Sequence, residues 1–340
     1  MRVGLTYNLK RGEPEEGQDP PSSNREAQAE WDEQETVDAV MAALTERHEV
    51  IPIDAAGDPY NALRDRRPDI VFNMAEGVFG PCREGHIPSI LEYLNIPYTA
   101  SDPLTLNVCL DKSRAKEILA YHGMPTAPFR VVWDRDLSFN SLRFPLLVKP
   151  LFEGSSMGIR NNSLAQTRED LRERIGWVLD RFHQPALVEE FLSGREFTVP
   201  ILGNGDNARV LPLVEIRFDS LPAGMNPIYS YEAKWIWDQS SNPLQIFDCP
   251  ANVGAELRAE IERICLHAYR TLRCRDWCRI DVRLDALNRP HILELNPLPG
   301  ILPRPEDNSC FPKSARAAGM TYNQLINSVL DIACQRYGIQ

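Results

Sequence analysis

Apolar positions along this chain switch repeatedly between the two-residue alternation of strands and the three-to-four-residue spacing of helices. Residues 1–7 enter a short strand pattern directly. Trp31, Val37, Val40, Met41 and Leu44 recur at helical spacing, 69–73 reads as a buried strand, and Ile87, Ile90, Leu91 and Leu94 form another helix face. Strand, helix, strand, helix predicts a small α/β lobe over 1–108. Asp111 can cap a helix with inner face Ala115, Ile118 and Leu119, stopped by Gly123 and Pro125. Residues 144–149 read as a strand. Ser163 with Gln166 makes a capping box for a helix carrying Leu171, Ile175, Leu179 and Phe182. Strands at 186–191 and 195–202 then complete a middle lobe over 109–205. The third lobe, 206–340, alternates strands with a helix over 255–272 and a closing helix after Thr321. Against this patterning, residues 10–30 contain no Val, Ile, Leu, Phe or Met, which predicts a mobile loop.

The densest chemistry lies in 279–296. Ile280, Val282 and Leu284 point one way, while Arg279, Asp281 and Arg283 point the other. With a hairpin loop over 286–289, the register pairs 285 with 290, Asp281 with Glu294 and Arg279 with Asn296. Partners on one face of a ladder sit about 4.5–5.5 Å apart at Cβ, and two carboxylates that close repel unless something positive lies between them. A hard divalent ion held by carboxylates and substrate phosphates answers that, Mg²⁺ above all. The plain alternative is a solvated hairpin with charges scattered on its polar face.

Composition narrows the classes. The 340 residues carry a net charge of −11, which argues against a nucleic-acid backbone as partner. No run approaches the roughly 18 apolar residues of a membrane span, and the start lacks the apolar core of a signal peptide. Of the eight cysteines, Cys274 and Cys278 are spaced closely but lack the second pair a zinc site requires. Buried reduced thiols in a cytoplasmic protein are expected.

Gly154-Ser155-Ser156-Met157-Gly158, just after Lys149, suits a flap over phosphate oxygens, although the P-loop spacing is absent. Alone, such a loop usually just turns the chain, and Lys149 alone reads as a solvated lysine. Around Glu189, Glu190 and Glu196, a strand end and a turn offer main-chain groups and carboxylates to a nucleotide. Exposed acids on a connecting segment are the alternative there.

In order, Leu110-Asp111-Lys112, Val148-Lys149-Pro150, Glu153-Gly154-Ser155-Ser156, the run from Val188 to Val199, Tyr231-Glu232-Ala233-Lys234, Arg279-Ile280-Asp281 and Glu294-Leu295-Asn296-Pro297 resemble the D-alanine–D-alanine ligases of the ATP-grasp superfamily. Phe72-Asn73 and the stretch from Gly85 to Thr99 resemble that family's first lobe, so the resemblance runs from about 69 to 325. It implies an α/β (α+β) fold of three lobes, with ATP between two mainly antiparallel sheets. It also implies a carboxylate–amine ligase working through an acylphosphate. By the family pattern Lys112 and Lys149 contact phosphates beneath a flap carrying Ser155 and Ser156. Glu189, Glu190 and Leu192 frame the adenine, and Glu196 meets the ribose. Asp281, Glu294 and Asn296 hold two Mg²⁺ ions, with Mn²⁺ as an alternative. Lys234 neutralises the transferring phosphoryl group. Arg279 and the Gly300 N–H stabilise the oxyanion, and Ser309 and Cys310 bind the acceptor's carboxylate. Small amino-acid or metabolite substrates follow, and a homodimer is compatible.

Four departures surround the substrate pocket rather than the ATP site. The family's glycine-rich first loop is not recognisable, and Glu30, Glu33 or Glu35 could replace its amine-binding glutamate. Glu76 stands where a histidine usually precedes a glycine. Trp235 replaces a tyrosine whose hydroxyl helps anchor the flap. The proline-rich 302–308 loop is longer and stiffer than usual. Three alternatives to joining two D-alanines therefore stay open: another substrate pair, a nucleotide-binding homologue without turnover, and a small-molecule kinase.

Overall fold

The computed structural model describes residues 1–10, 28–135, 141–222, 224–238 and 244–339, so the mobile loop expected over 10–30 lies almost wholly outside the described residues. The chain opens with β1 (Arg2–Tyr7), α1 (Gln34–Thr45), β2 (Glu49–Asp54), α2 (Pro59–Arg66), β3 (Ile70–Asn73), α3 (His86–Leu94) and α4 (Pro103–Leu110). Its strands form a parallel sheet in the order β2-β1-β3, with α1 and α2 as the crossovers that parallel neighbours need. Trp31 precedes α1 rather than joining its apolar face, and its indole N–H donates to the Gly77 carbonyl (3.1 Å).

Next come α5 (Lys112–Tyr121), β4 (Phe129–Val132), β5 (Leu146–Pro150), β6 (Leu164–Ala165), α6 (Arg168–Phe182) and β7 (Ala186–Glu190). Asp111 caps α5 as expected, accepting from the Ser113 and Arg114 N–H groups. The strands build an antiparallel sheet in the order β4-β7-β5-β6. The expected Ser163–Gln166 capping box does not form. Leu164 and Ala165 pair with β5, which holds the chain extended, so the box falls to Thr167 and Asp170. Ser163 instead accepts from the Arg160 N–H (2.8 Å).

The remaining elements are β8 (Glu196–Leu202), β9 (Arg209–Val210), β10 (Val214–Ile216), a π-helix over Glu232–Trp237, β11 (Phe247–Asp248), α7 (Ala255–Thr271), β12 (Trp277–Leu284), β13 (Pro290–Asn296), α8 (Cys310–Ala317) and α9 (Tyr322–Tyr337). Strand β8, read from sequence as part of the middle lobe, lies instead inside the sheet β11-β10-β8-β12-β13. Its seven residues are all buried, which suits an interior strand.

The β12–β13 hairpin pairs Asp281 with Glu294 and Arg279 with Asn296, as derived. The expected pairing of 285 with 290 does not occur, because the register slips between Asp281 and Val282 and Leu284 faces Pro290. Leu293 is the extra residue of a β-bulge. The bulge reconciles two demands that strict alternation cannot: Ile292 and Leu295 both enter the core, while Glu294 stays with Asp281 on the opposite face. Behind that face, Ile280, Val282 and Leu284 pack on Ile261, Ile264, Cys265 and Ala268 of α7.

Candidate active site

Lys149 and Glu189 lie one residue before the ends of β5 and β7, and Glu196 begins β8, so strand termini from two sheets deliver charged side chains to one place. Every residue predicted above for catalysis, nucleotide, metal or substrate lines a single cavity of about 590 Å³, and so do Glu30, Glu33 and Glu35. The sequence-based set is therefore brought together without exception.

The innermost charges are mutually paired. Glu189, 2 % exposed, lies between two lysines, with Lys149 Nζ at 2.7 Å and Lys116 Nζ at 3.0 Å. Burial alone would push the Glu189 carboxyl up, but the two ammonium groups outweigh it and hold it at about 2. Lys116 was not anticipated, although a lysine beside Ala115 and Leu119 on an apolar helix face was a legible signal. It is 1 % exposed and also donates to Thr126 (2.7 Å). Lys112 reaches the Glu153 carbonyl and lies 3.8 Å from Glu294. Glu196 is pinned by Arg283 at 2.7 Å, a second cation the sequence did not single out. Glu190 turns its carboxylate out to Arg143 (2.9 Å), so only its main chain faces inward.

The flap is a tight turn in which Ser155 (φ 48°) and Ser156 (φ 60°) both adopt the left-handed conformation, followed by Gly158 (φ 72°). Successive residues of that kind in non-glycine positions store strain, and the surroundings must hold them. Ser156 Oγ donates to the Tyr229 carbonyl (2.8 Å), and the Trp235 indole N–H donates to the Ser155 carbonyl (3.0 Å). The departure at Trp235 thus keeps a flap anchor, contrary to the loss expected from the missing tyrosine hydroxyl, because an indole supplies its own donor. Lys234 beside it is held down at about 8, by burial first and by Arg279 second.

Arg279 donates twice to Asp281 (3.0 and 2.9 Å), and Asn296 Nδ2 lies 3.3 Å from the same carboxylate. Burial pushes Asp281 up and Glu294 adds to it. Burial likewise acts on Glu294, but Lys112, Lys149 and Arg279 prevail and hold it down. Adjacent carboxylates driven in opposite directions are a pair that a bridging cation would let ionise together. With an amide oxygen available by a half-turn of Asn296, the donor set is all hard oxygen and fits Mg²⁺.

At the far end, Ser309 Oγ donates to the Gly300 carbonyl (3.0 Å) and accepts from the Leu302 N–H (3.1 Å). Its hydroxyl closes the 300–309 loop instead of standing free. Ser309 leaves the N-terminus of α8 without a side-chain cap, and Cys310, which lines the cavity there, has its thiol pushed up to about 12 by burial. Asn308 donates to Asp238 (2.6 Å), which also accepts from the Tyr229 hydroxyl (2.9 Å), tying the 302–308 loop to the flap's support. All eight cysteines are free thiols and most are buried, as expected. No helix among the described residues is long and apolar enough to cross a membrane.

The family model described as D-ala D-ala ligase C-terminus matches residues 118–331. The D-alanine–D-alanine ligase of Bordetella avium is 36% identical over 270 residues, covering 78% of each chain. That of Desulforudis audaxviator is 34% identical over 304 residues, 88% of this chain and 92% of the other. An uncharacterized protein of Sinorhizobium fredii, y4sG, is 34% identical over 316 residues and 90% of each chain. Among solved structures, the D-alanine–D-alanine ligase of Bacillus anthracis complexed with ATP superposes with a TM-score of 0.74 over 99% of both chains at 23% identity, a likeness of fold. The chain belongs to the D-alanine–D-alanine ligase family of ATP-dependent ligases.

Proposed function

We propose that this protein joins two amino acids through an acylphosphate, with ATP seated between the β4–β7 sheet and the sheet of β8, β12 and β13. The observation that carries the reading is the convergence of Lys112, Lys149, Lys234 and Arg279 with the Asp281–Glu294 pair under the Ser155–Ser156 turn. Lys112 and Lys149 already face Glu294 and Glu189, whereas Lys234 joins no ion pair among the described residues, and a triphosphate supplies its missing anion. Lys149 and Lys116 present Glu189 toward an adenine amino group, and the main chain at Glu190 and Leu192 offers the complementary donor and acceptor. Asp281, Glu294 and Asn296 would hold Mg²⁺, which when bound offsets phosphate charge.

One carboxylate oxygen of the first amino acid attacks the γ-phosphorus, and ADP leaves. Lys234 holds its proton beside the phosphoryl oxygens. The amine of the second amino acid, after losing a proton, attacks the activated carbonyl, and phosphate departs with the former carboxylate oxygen. Arg279 and the Gly300 N–H, which makes no hydrogen bond among the described residues, would receive the developing oxyanion. The α8 N-terminus suits the second substrate's carboxylate.

Phosphate release from ATP and Mg²⁺ with single amino acids and pairs, followed by mass spectrometry of the products, tests the reading. A condensation product with stoichiometric ADP is expected. Arg279→Ala should lower kcat by about 10²–10³-fold with ATP binding retained. Equal turnover by that variant would remove Arg279 from the reaction.

A further inference from the structure

At the amino-terminal end of the cavity, carboxylates outnumber the cations that could balance them. Glu30 is already satisfied: Arg83 donates to it from Nη2 (2.7 Å) and Nε (3.2 Å). Glu153 receives the Gln184 amide (2.7 Å) and lies 3.4 Å from Arg83. Glu76 and Glu84 line the same cavity, yet neither accepts a hydrogen bond nor joins an ion pair among the described residues. Glu84 is only 9 % exposed, and Glu76 is half-buried and lines the cavity with it.

An unpartnered carboxylate that deep is costly unless a ligand satisfies it. We propose that Glu76 and Glu84 form a cation subsite, so that the amino acid bound there carries a side-chain ammonium or guanidinium in addition to its α-ammonium. The inference rests on the ligase reading and names its substrate class. An α-ammonium alone needs one counter-charge, and here Glu76 and Glu84 stand uncommitted after Arg83 has taken Glu30, with Asp32 adding its charge to Glu76 from the same cavity. A metal ion is the weaker occupant, because no third His, Cys, Asp or Glu among the described residues completes a metal-binding group. Burial pushes Glu84 up to about 8, and burial with the charge of Glu84 pushes Glu76 up as well, so an incoming cation displaces protons rather than a protein partner.

The test compares ADP formation by the full chain with ornithine, 2,3-diaminopropionate and arginine of both hands against both alanines. ATP affinity is measured separately by calorimetry without amino acid. A cationic amino acid should exceed either alanine in kcat/KM by roughly tenfold or more, and Glu84→Gln should erase that preference while ATP affinity holds. Glu84 has no partner to lose, so this variant should melt no lower than the parent, and Glu76→Gln provides the second arm. Alanine turned over as well as any cationic amino acid overturns the inference and leaves the ligase reading standing. ATP binding with no turnover of any amino acid overturns both.

Discussion

Glu189 illustrates how one side chain can serve structure and chemistry together. Enclosed by Lys116 and Lys149, it neutralises two ammonium groups that the apolar surroundings would otherwise reject. Glu189→Gln keeps the shape and removes the charge, leaving two buried cations unbalanced, and should cost about 3–5 kcal/mol. The sign with pH follows from the depressed carboxyl. Its contribution is full above the ordinary value of 4.5 and is lost as pH falls toward about 2. Acid titration of chemical denaturation should show that loss in the parent and not in Glu189→Gln, and parallel profiles would contradict the assignment. Trp235 makes a gentler case. Trp235→Phe retains the ring and deletes the donor to Ser155, a hydrogen bond worth about 0.5–1.5 kcal/mol. The flap should become more sensitive to protease and the KM for ATP should rise up to about tenfold. If neither changes, the indole does not hold the flap.

At the scale of elements, the bulge in β13 does most to shape the site. It turns Leu293 into the cavity beside Glu294 while Ile292 keeps its place in the core. Leu293 therefore offers apolar surface next to the nucleotide's proposed position, and Leu293→Ala should weaken ATP binding by roughly 5–30-fold, about 1–2 kcal/mol, with kcat little altered. Calorimetric titration with ATP checks this, and unchanged affinity would place the base elsewhere. The hairpin also shows what the sequence could disclose. Alternation and a short loop placed Asp281 opposite Glu294 because two offsets cancel: pairing starts at Leu284 with Pro290 rather than at 285 with 290, and the extra residue Leu293 restores the derived register beyond the slip. The slip itself was implicit, since Ile292 and Glu294 share parity but not chemistry. Pairings such as Lys116 with Glu189, Arg283 with Glu196 and Arg83 with Glu30 were not legible, because which cation meets which acid is decided only when distant segments pack. The same holds for β8, whose apolar run suits either sheet and whose membership depends on β12.

In the whole molecule, the first and last parts of the chain behave as one body. Val3, Leu5, Val40 and Phe72 share a continuous core with Leu202, Trp277, Phe311 and the inner face of α9. Trp277 sets its ring edge-on between Phe72 (5.8 Å) and Phe311 (5.5 Å). The β4–β7 sheet keeps a separate core with α6, which suits a lobe that must admit ATP beneath its flap. The joint of the larger body is Asp276, fully buried. It accepts from the Ala100 N–H (2.8 Å), from Asn204 Nδ2 (2.7 Å) and twice from Arg336 (2.8 and 3.1 Å). Its backbone is left-handed (φ 65°), a conformation asparagine also tolerates, so Asp276→Asn removes the charge with little backbone penalty. Arg336 would then face a neutral partner in a largely buried setting, and stability should fall by about 3–5 kcal/mol. Adding Arg336→Gln should restore part of that loss, as two groups coupled in one network require. Because the core is shared, calorimetry should show the amino- and carboxy-terminal parts still melting in a single transition at lower temperature. A separate early transition of the amino-terminal lobe would mean that Asp276, rather than the common core, holds the two together.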